Sequence, residues 1–147
     1  MRFEINQITE SNLDFINPLA IEAQSEGYGF VQRTIDEWKS GINNFSKKGE
    51  ILFGIFTSNS CIGIGGLNVD PYINDPSIGR IRHIFISQKY RRKGLATLLL
   101  NRIIHLASDH FKLLRLYANN PSASLFYESN GFTESKAEKV THILKDF

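Results

Sequence analysis

Apolar and polar positions alternate at the start of the chain, where Phe3, Ile5 and Ile8 mark a strand over Arg2–Ile8. The period then lengthens. Leu13, Ile16, Leu19, Ala20 and Ala23 recur at helical spacing, which predicts a helix over about 12–24, bent or split at Pro18. Gly27-Tyr28-Gly29-Phe30 interrupts the pattern as a loop. Ile35, Trp38, Ile42 and Phe45 share one face of a second helix, predicted over 34–45 with Thr34 or Asp36 as its cap. Strands follow at 51–57 and 61–69, joined by a turn at Ser58-Asn59-Ser60. Two prolines make 70–79 a loop. Then come a strand at 80–87, a basic turn at 88–93 and a helix at 95–107. That helix is marked by Leu95, Leu98, Leu99, Ile103 and Leu106, with Arg102 as a polar interruption. A strand at 112–118 and a short helix at 121–130 precede residues 132–146, which hold two strands or one bent one.

Consecutive strands favour antiparallel pairing, whereas the strand–helix–strand run across 80–118 favours a parallel crossover. The expected fold class is therefore α/β of the mixed α+β kind. It has a central mixed, mostly antiparallel sheet with helices on both faces.

Composition narrows the picture. The chain has 147 residues, 41% of them hydrophobic, which suits a single domain over 1–147 with a substantial core. Cys61 has no partner within the chain, so a disulfide scaffold is excluded. No apolar run approaches the ~20 residues of a membrane span, and the first residues carry no apolar export segment. A cytoplasmic location and no membrane partner are the expectations. No cluster of His, Cys and carboxylates has metal-ligand spacing, so no metal is expected.

The net charge of +2 does not imply a nucleic-acid partner. Its distribution is more informative. Lys89, Arg91, Arg92 and Lys93 crowd together, and without them the chain is slightly acidic. Gly94 stands where this turn becomes helix. A glycine permits close backbone approach, and the first N–H groups of a helix lack internal partners while the helix dipole adds positive charge. A phosphate or pyrophosphate is the natural guest. The long glycine-spaced Walker A loop and the three-glycine dinucleotide fingerprint are both missing.

Arg91-Arg92-Lys93-Gly94-Leu95-Ala96, following Ile84-Phe85-Ile86-Ser87, resembles the pyrophosphate loop of the GNAT superfamily of acyl-CoA-dependent N-acetyltransferases, Gln/Arg-x-x-Gly-x-Gly/Ala. Downstream, Asn120, Ala123, Tyr127, Gly131 and Phe132 match the superfamily's second block, Asn-x-x-Ala-x-x-x-Tyr-x-x-x-Gly-Phe. The resemblance extends to the element order over nearly the whole chain. It implies acetyl-CoA as acyl donor. The implied cofactor contacts are Phe85 and Ile86 on the strand, Arg91, Arg92, Lys93, Gly94, Leu95, Ala96 and Thr97 at the turn and helix start, and Asn120 and Phe126 downstream. It also implies that Tyr127 is the general acid that protonates the departing thiolate. Asn120 has a local role too, as an N-cap ahead of Pro121, and Gly131 suits a left-handed helix stop.

An ammonium acceptor must lose a proton before it attacks. The superfamily often places Glu or His on the strand before the loop, where this chain has Arg80 and Arg82, and arginine cannot act as a base. Alternation puts Arg80, Arg82, Ile84 and Ile86 on one strand face and Ile81, His83 and Phe85 on the other. His83, Glu22, Glu26, Asp70 and Asp75 are the titratable candidates, with a water relay as the alternative. A guanidinium fork suits a carboxylate or phosphate, so Arg80 or Arg82 is expected either to orient an acidic part of the acceptor or to pair within the fold. Tyr28 and Phe30 either line the acceptor pocket or cover the core.

The expected activity is acetyl transfer from acetyl-CoA to a primary amine of a small molecule or peptide. A homodimer stays open. The competing readings are a non-catalytic acyl-CoA-binding module and, less favoured, a nucleic-acid binder using Lys89–Lys93.

Overall fold

The computed structural model describes residues 2–147, apart from the side chain of His83, so the candidacy of His83 as a base lies outside the described residues. A seven-stranded sheet in the order β1-β2-β3-β4-β5-β7-β6 forms the centre. Its strands are β1 (Glu4–Gln7), β2 (Ile51–Thr57), β3 (Ser60–Val69), β4 (Ile78–Ile86), β5 (Leu113–Leu116), β6 (Thr133–Glu134) and β7 (His142–Leu144). Among the described residues only β4 and β5 run parallel; every other neighbouring pair is antiparallel. The mixed, mostly antiparallel sheet expected from the sequence is thus present, and residues 132–146 resolve into two short strands.

Four helices cover the two faces. On one face, α1 (Asn17–Ser25) and α2 (Phe30–Ser40) bury Leu19, Ala20, Ala23, Val31 and Ile35 with Ile64 and Phe85 of the sheet. On the other, α3 (Leu95–Ala107) and α4 (Pro121–Ser129) bury Leu95, Leu99, Ile103 and Tyr127 with Leu67, Ile81, Ile86 and Leu114. Pro18 does split the first helical stretch. A 3-10 turn at Leu13–Ile16 precedes α1, and the proline sits in the first turn of α1, where its missing N–H costs nothing.

The second helix is displaced from its expected range. It starts at Phe30, directly after Gly29, and stops at Gly41, which takes a left-handed conformation at φ 82°. Ile42 is consequently exposed. Phe45 is buried from a loop rather than from a helix face, stacking on Trp38 at 6.2 Å.

The strand β4 carries the most consequential irregularity. Ile64 faces Phe85 and Gly66 faces Arg82, so two residues of β3 span three of β4, and one extra β4 residue bulges at 83–84. The bulge reverses the inside–outside phase. Ile81, Ile84 and Ile86 all pack toward α3, while Arg80, Arg82 and Phe85 lie on the α1–α2 side. The expected grouping of Arg80 and Arg82 with Ile84 and Ile86 is corrected accordingly: strict alternation does not survive an inserted residue.

Candidate active site

Strands β4 and β5 pair only through Ile78–Leu113, Gly79–Leu114 and Arg80–Arg115. Beyond that point they separate. The gap is the mouth of a cleft of about 1000 Å³, walled by Ile81, Arg82, Ile84, Phe85 and Ile86 of β4 on one side and residues 116–119 on the other. The start of α4 closes one end, and Ala96 of α3 contributes to the wall. The polypeptide between α1 and α2 supplies Tyr28, with Phe30 beginning α2.

The α3 end is built for an anion. After Arg91, the N–H groups of residues 92–97 meet no acceptor among the described residues, and the first bond into the helix runs from Leu98 to the Gly94 carbonyl. Gly94 sits at φ 76° with open space where a Cβ would stand. Any other residue would pay for that left-handed geometry and crowd the approach. Arg92 and Lys93 are exposed beside it, and Arg92 is itself left-handed at φ 62°. The Leu95 side chain belongs to the core, so the expected Leu95 contact reduces to its backbone. A diphosphate fits this row of donors and its flanking cations. The splayed strand edge offers a channel to the arm that follows.

The sequence-predicted residues fall into different situations. Arg91 is already engaged. Its guanidinium grips both oxygens of Glu26 at 2.7 and 3.0 Å, its Nε donates to the Ile86 carbonyl at 2.8 Å, and it lies 5.2 Å from the Phe85 ring centroid. Asn120 does cap α4, accepting from the Ala123 N–H at 2.8 Å. Its amide nitrogen also meets the Tyr28 hydroxyl at 3.4 Å, linking the segment between α1 and α2 to α4 across the cleft. Tyr28, Phe30 and Phe85 contact one another edge to face at 5.8–6.3 Å, so Tyr28 and Phe30 both line the cleft and seal the core.

Tyr127 lines the cleft from α4, held edge-on between Phe126 (5.1 Å) and Phe132 (5.5 Å). Its hydroxyl has no hydrogen-bond partner among the described residues, and burial pushes the phenol above its ordinary value. It therefore keeps its proton at every ordinary working pH. The neighbouring Glu128 hydrogen-bonds the buried His142 at 2.8 Å, and His142 in turn meets Thr141 at 2.8 Å, which fixes α4 against β7.

The carboxylates expected as candidate bases are occupied elsewhere. Glu22 accepts from Ser87 Oγ and the Gln88 N–H at 2.7 Å, pinning α1 to the end of β4. Asp75 caps Ser77, and that hydrogen bonding lowers its pKa. Asp70 is 1% exposed and lies between Arg80 (3.4 Å) and Arg115 (3.6 Å). Arg80 donates further to the Lys139 carbonyl at 2.6 Å and lies 4.8 Å from the Tyr72 ring centroid. Of the two strand arginines, Arg80 is thus a structural cation. Arg82 makes no hydrogen bond or ion pair with any described residue. Arg33, Tyr72 and Lys139 also line the cleft, and sequence reasoning missed all three. They come from α2 and two separate loops, and no motif marks them.

Comparison with known proteins decides the family. The model of the acetyltransferase (GNAT) family matches residues 14–132. The chain belongs to that family. As a GNAT acetyltransferase it transfers an acetyl group from acetyl-CoA to an acceptor. A structure from Exiguobacterium sp. 255-15, assigned as an acetyltransferase, is 27% identical, with a TM-score of 0.87 over 99% of this chain and 94% of that one. A GNAT-family acetyltransferase from Streptococcus pneumoniae shares the fold at 19% identity, TM-score 0.74, and 97% coverage of both chains. So does PaiA N-acetyltransferase from Thermoplasma acidophilum, solved in complex with coenzyme A, at 17% identity, TM-score 0.72, and full coverage of both. Among the described residues no helix is long and apolar enough to cross a membrane, and no group of His, Cys and carboxylates is placed to hold a metal.

Proposed function

We propose that this GNAT acetyltransferase acetylates a primary amine of a small molecule or peptide by direct attack on the thioester of acetyl-CoA. The N–H groups of residues 92–97, with Arg92 and Lys93, hold the diphosphate. The β4 edge at Phe85 and Ile86, with Asn120 and Phe126, receives the arm. The acceptor enters past Tyr28 and Arg82.

The amine gives up its first proton to water, because no described carboxylate on the cleft wall is free. Its lone pair then forms the new C–N bond at the thioester carbonyl. Collapse of the tetrahedral adduct breaks the C–S bond. The Tyr127 hydroxyl donates its proton to the departing sulfur, and the proton shed by the new amide nitrogen restores the phenol. The products are the N-acetyl amine and CoA thiol.

The observation that carries this reading is the Tyr127 phenol, facing the cleft with its proton unshared. An amine panel with acetyl-CoA, read by release of free thiol, tests it: turnover of at least one primary amine supports the reading. The lack of a free carboxylate on the described wall favours a second reading, a non-catalytic acyl-CoA binder. That reading predicts CoA binding with no thiol release from any amine.

A further inference from the structure

Among the described residues, the cleft wall contains five cationic side chains, Arg33, Arg80, Arg82, Arg91 and Lys139, against the single carboxylate of Glu26. Two of the five are satisfied by the fold. Arg91 has Glu26 and the Ile86 carbonyl, and Arg80 has Asp70 and the Lys139 carbonyl. Arg33 and Lys139 form no ion pair with a described residue, but both are exposed, so water solvates them. Arg82 is the exception. It is half-buried at the acceptor side of β4, immediately before the bulge, with no acceptor for any of its five N–H donors among the described residues.

A guanidinium withdrawn from water without partners is unfavourable. Burial and the neighbouring Arg80 charge both hold Arg82 below its ordinary pKa, while Glu37, Tyr72 and Asp70 only partly offset them. Glu37 of α2 attracts it electrostatically but stands beyond ion-pair distance. The rigid fork points to a planar or tetrahedral oxyanion as its missing partner.

We infer that the acceptor is an amine carrying its own carboxylate or phosphate, and that this anion seats on the unpartnered Arg82 fork while the amine faces the thioester. The inference rests on the acetyl-transfer reading and adds the class of substrate. Arg33 and Lys139 at the mouth favour an anionic molecule over a diamine. Glu26, the one carboxylate among the described residues of the cleft wall, is already held by Arg91 and does not stand ready to receive a second ammonium. Arg82 is thus a specificity-determining residue, whereas Arg80, although adjacent on the same face, holds the fold.

The experiment compares glycine, β-alanine, 4-aminobutyrate and 2-aminoethyl phosphate with ethanolamine and putrescine at saturating acetyl-CoA. At least one acidic amine is expected to exceed ethanolamine by tenfold or more in kcat/KM, with putrescine poorest. The carbon-chain series reads the distance from Arg82 to the thioester, and the phosphate arm distinguishes the two oxyanions. Arg82→Ala is expected to raise KM for that acidic amine at least tenfold with kcat within threefold. KM for ethanolamine and acetyl-CoA should stay unchanged, and Arg82→Lys should restore part of the loss.

A second measurement does not depend on turnover. Calorimetry on the CoA-loaded protein should show N-acetylated acidic amine binding at least tenfold tighter than N-acetylethanolamine, with that preference lost in Arg82→Ala. Equal binding of the two products, a preference that survives Arg82→Ala, or putrescine as the best acceptor overturns the inference. If CoA binds but no amine releases thiol, acetyl transfer to amines fails, and the calorimetric preference alone decides the anion site.

Discussion

Replacing Tyr127 with Phe removes one oxygen from the cleft wall and nothing else. The hydroxyl has no hydrogen-bond partner among the described residues, so no donor or acceptor is orphaned by its loss. The ring contacts with Phe126 and Phe132 at 5.1 and 5.5 Å persist, because they belong to the aromatic face and edge. The fold should therefore keep its stability to within about 0.5 kcal/mol, or gain slightly, since a buried hydroxyl without a partner is a cost. Chemistry should suffer far more. Loss of a positioned general acid typically costs about 10²–10⁴ in rate, or about 3–5 kcal/mol of barrier. Thiol release at saturating acetyl-CoA and acceptor, alongside thermal unfolding of both proteins, separates the two effects. The expected pattern is a kcat lower by at least a hundredfold, an acetyl-CoA KM within threefold of wild type and a superimposable melt. A Tyr127→Phe enzyme with kcat within threefold of wild type would refute the assignment. A loss of kcat accompanied by a lowered melting temperature would show that the hydroxyl supports the fold, and would withdraw the loss of rate as evidence for proton donation.

Gly94→Val should raise KM for acetyl-CoA at least tenfold in steady-state kinetics and leave overall secondary structure by circular dichroism intact, because a β-branched residue resists φ 76° and its methyls occupy the open approach to the helix start. Asp70→Asn leaves the buried Arg80 and Arg115 without their counter-charge, so chemical denaturation should show a loss of about 3–5 kcal/mol. Cys61, its thiol pushed up to about 11 by burial, should resist thiol reagents in the folded protein at pH 8, so background colour in the thiol-release assay should come from CoA alone. The same shift has a sign in stability. Burial raises the folded thiol from its ordinary 9.0 to about 11, so its contribution is full below pH 9 and is lost as pH rises toward 11, by at most roughly 3 kcal/mol. Denaturation of Cys61→Ala should show a flatter pH dependence across that window.

Much of this was legible in the sequence because the relevant signals are local. Helix α3 is carried by Leu95, Leu99 and Ile103, all of which the structure buries. The α4 cap is carried by Asn120 and Pro121, and the helix-start glycine by its place between the cationic turn and an apolar helix. Signals that depend on distant partners were not legible. Ile42 and Phe45 fit a helical period by coincidence, and only the left-handed Gly41 shows that the helix has ended before them. Asp70 is an ordinary loop carboxylate in sequence, and only its burial between Arg80 and Arg115 removes it from the possible bases. Arg33, Tyr72 and Lys139 converge on one cleft from three elements with no shared spacing.

The bulge in β4 connects the two halves of the site. Without the extra residue at 83–84, a strand with Arg82 facing the α1–α2 side would send Phe85 to the opposite side, beside α3. With it, Arg82 and Phe85 share the α1–α2 side. Phe85 completes the aromatic wall with Tyr28 and Phe30 and supports the Arg91 guanidinium, while Ile84 and Ile86 lock the same strand onto the α3 core. Pairing with β5 ends at Arg80, just before the bulge, so the strand edge beyond it is released for a ligand within a few residues of Arg82. One inserted residue therefore places an unpaired cation and an unpaired strand edge next to each other. An acid-bearing amine and an extended thioester arm need that adjacency if they are to meet beneath Tyr127.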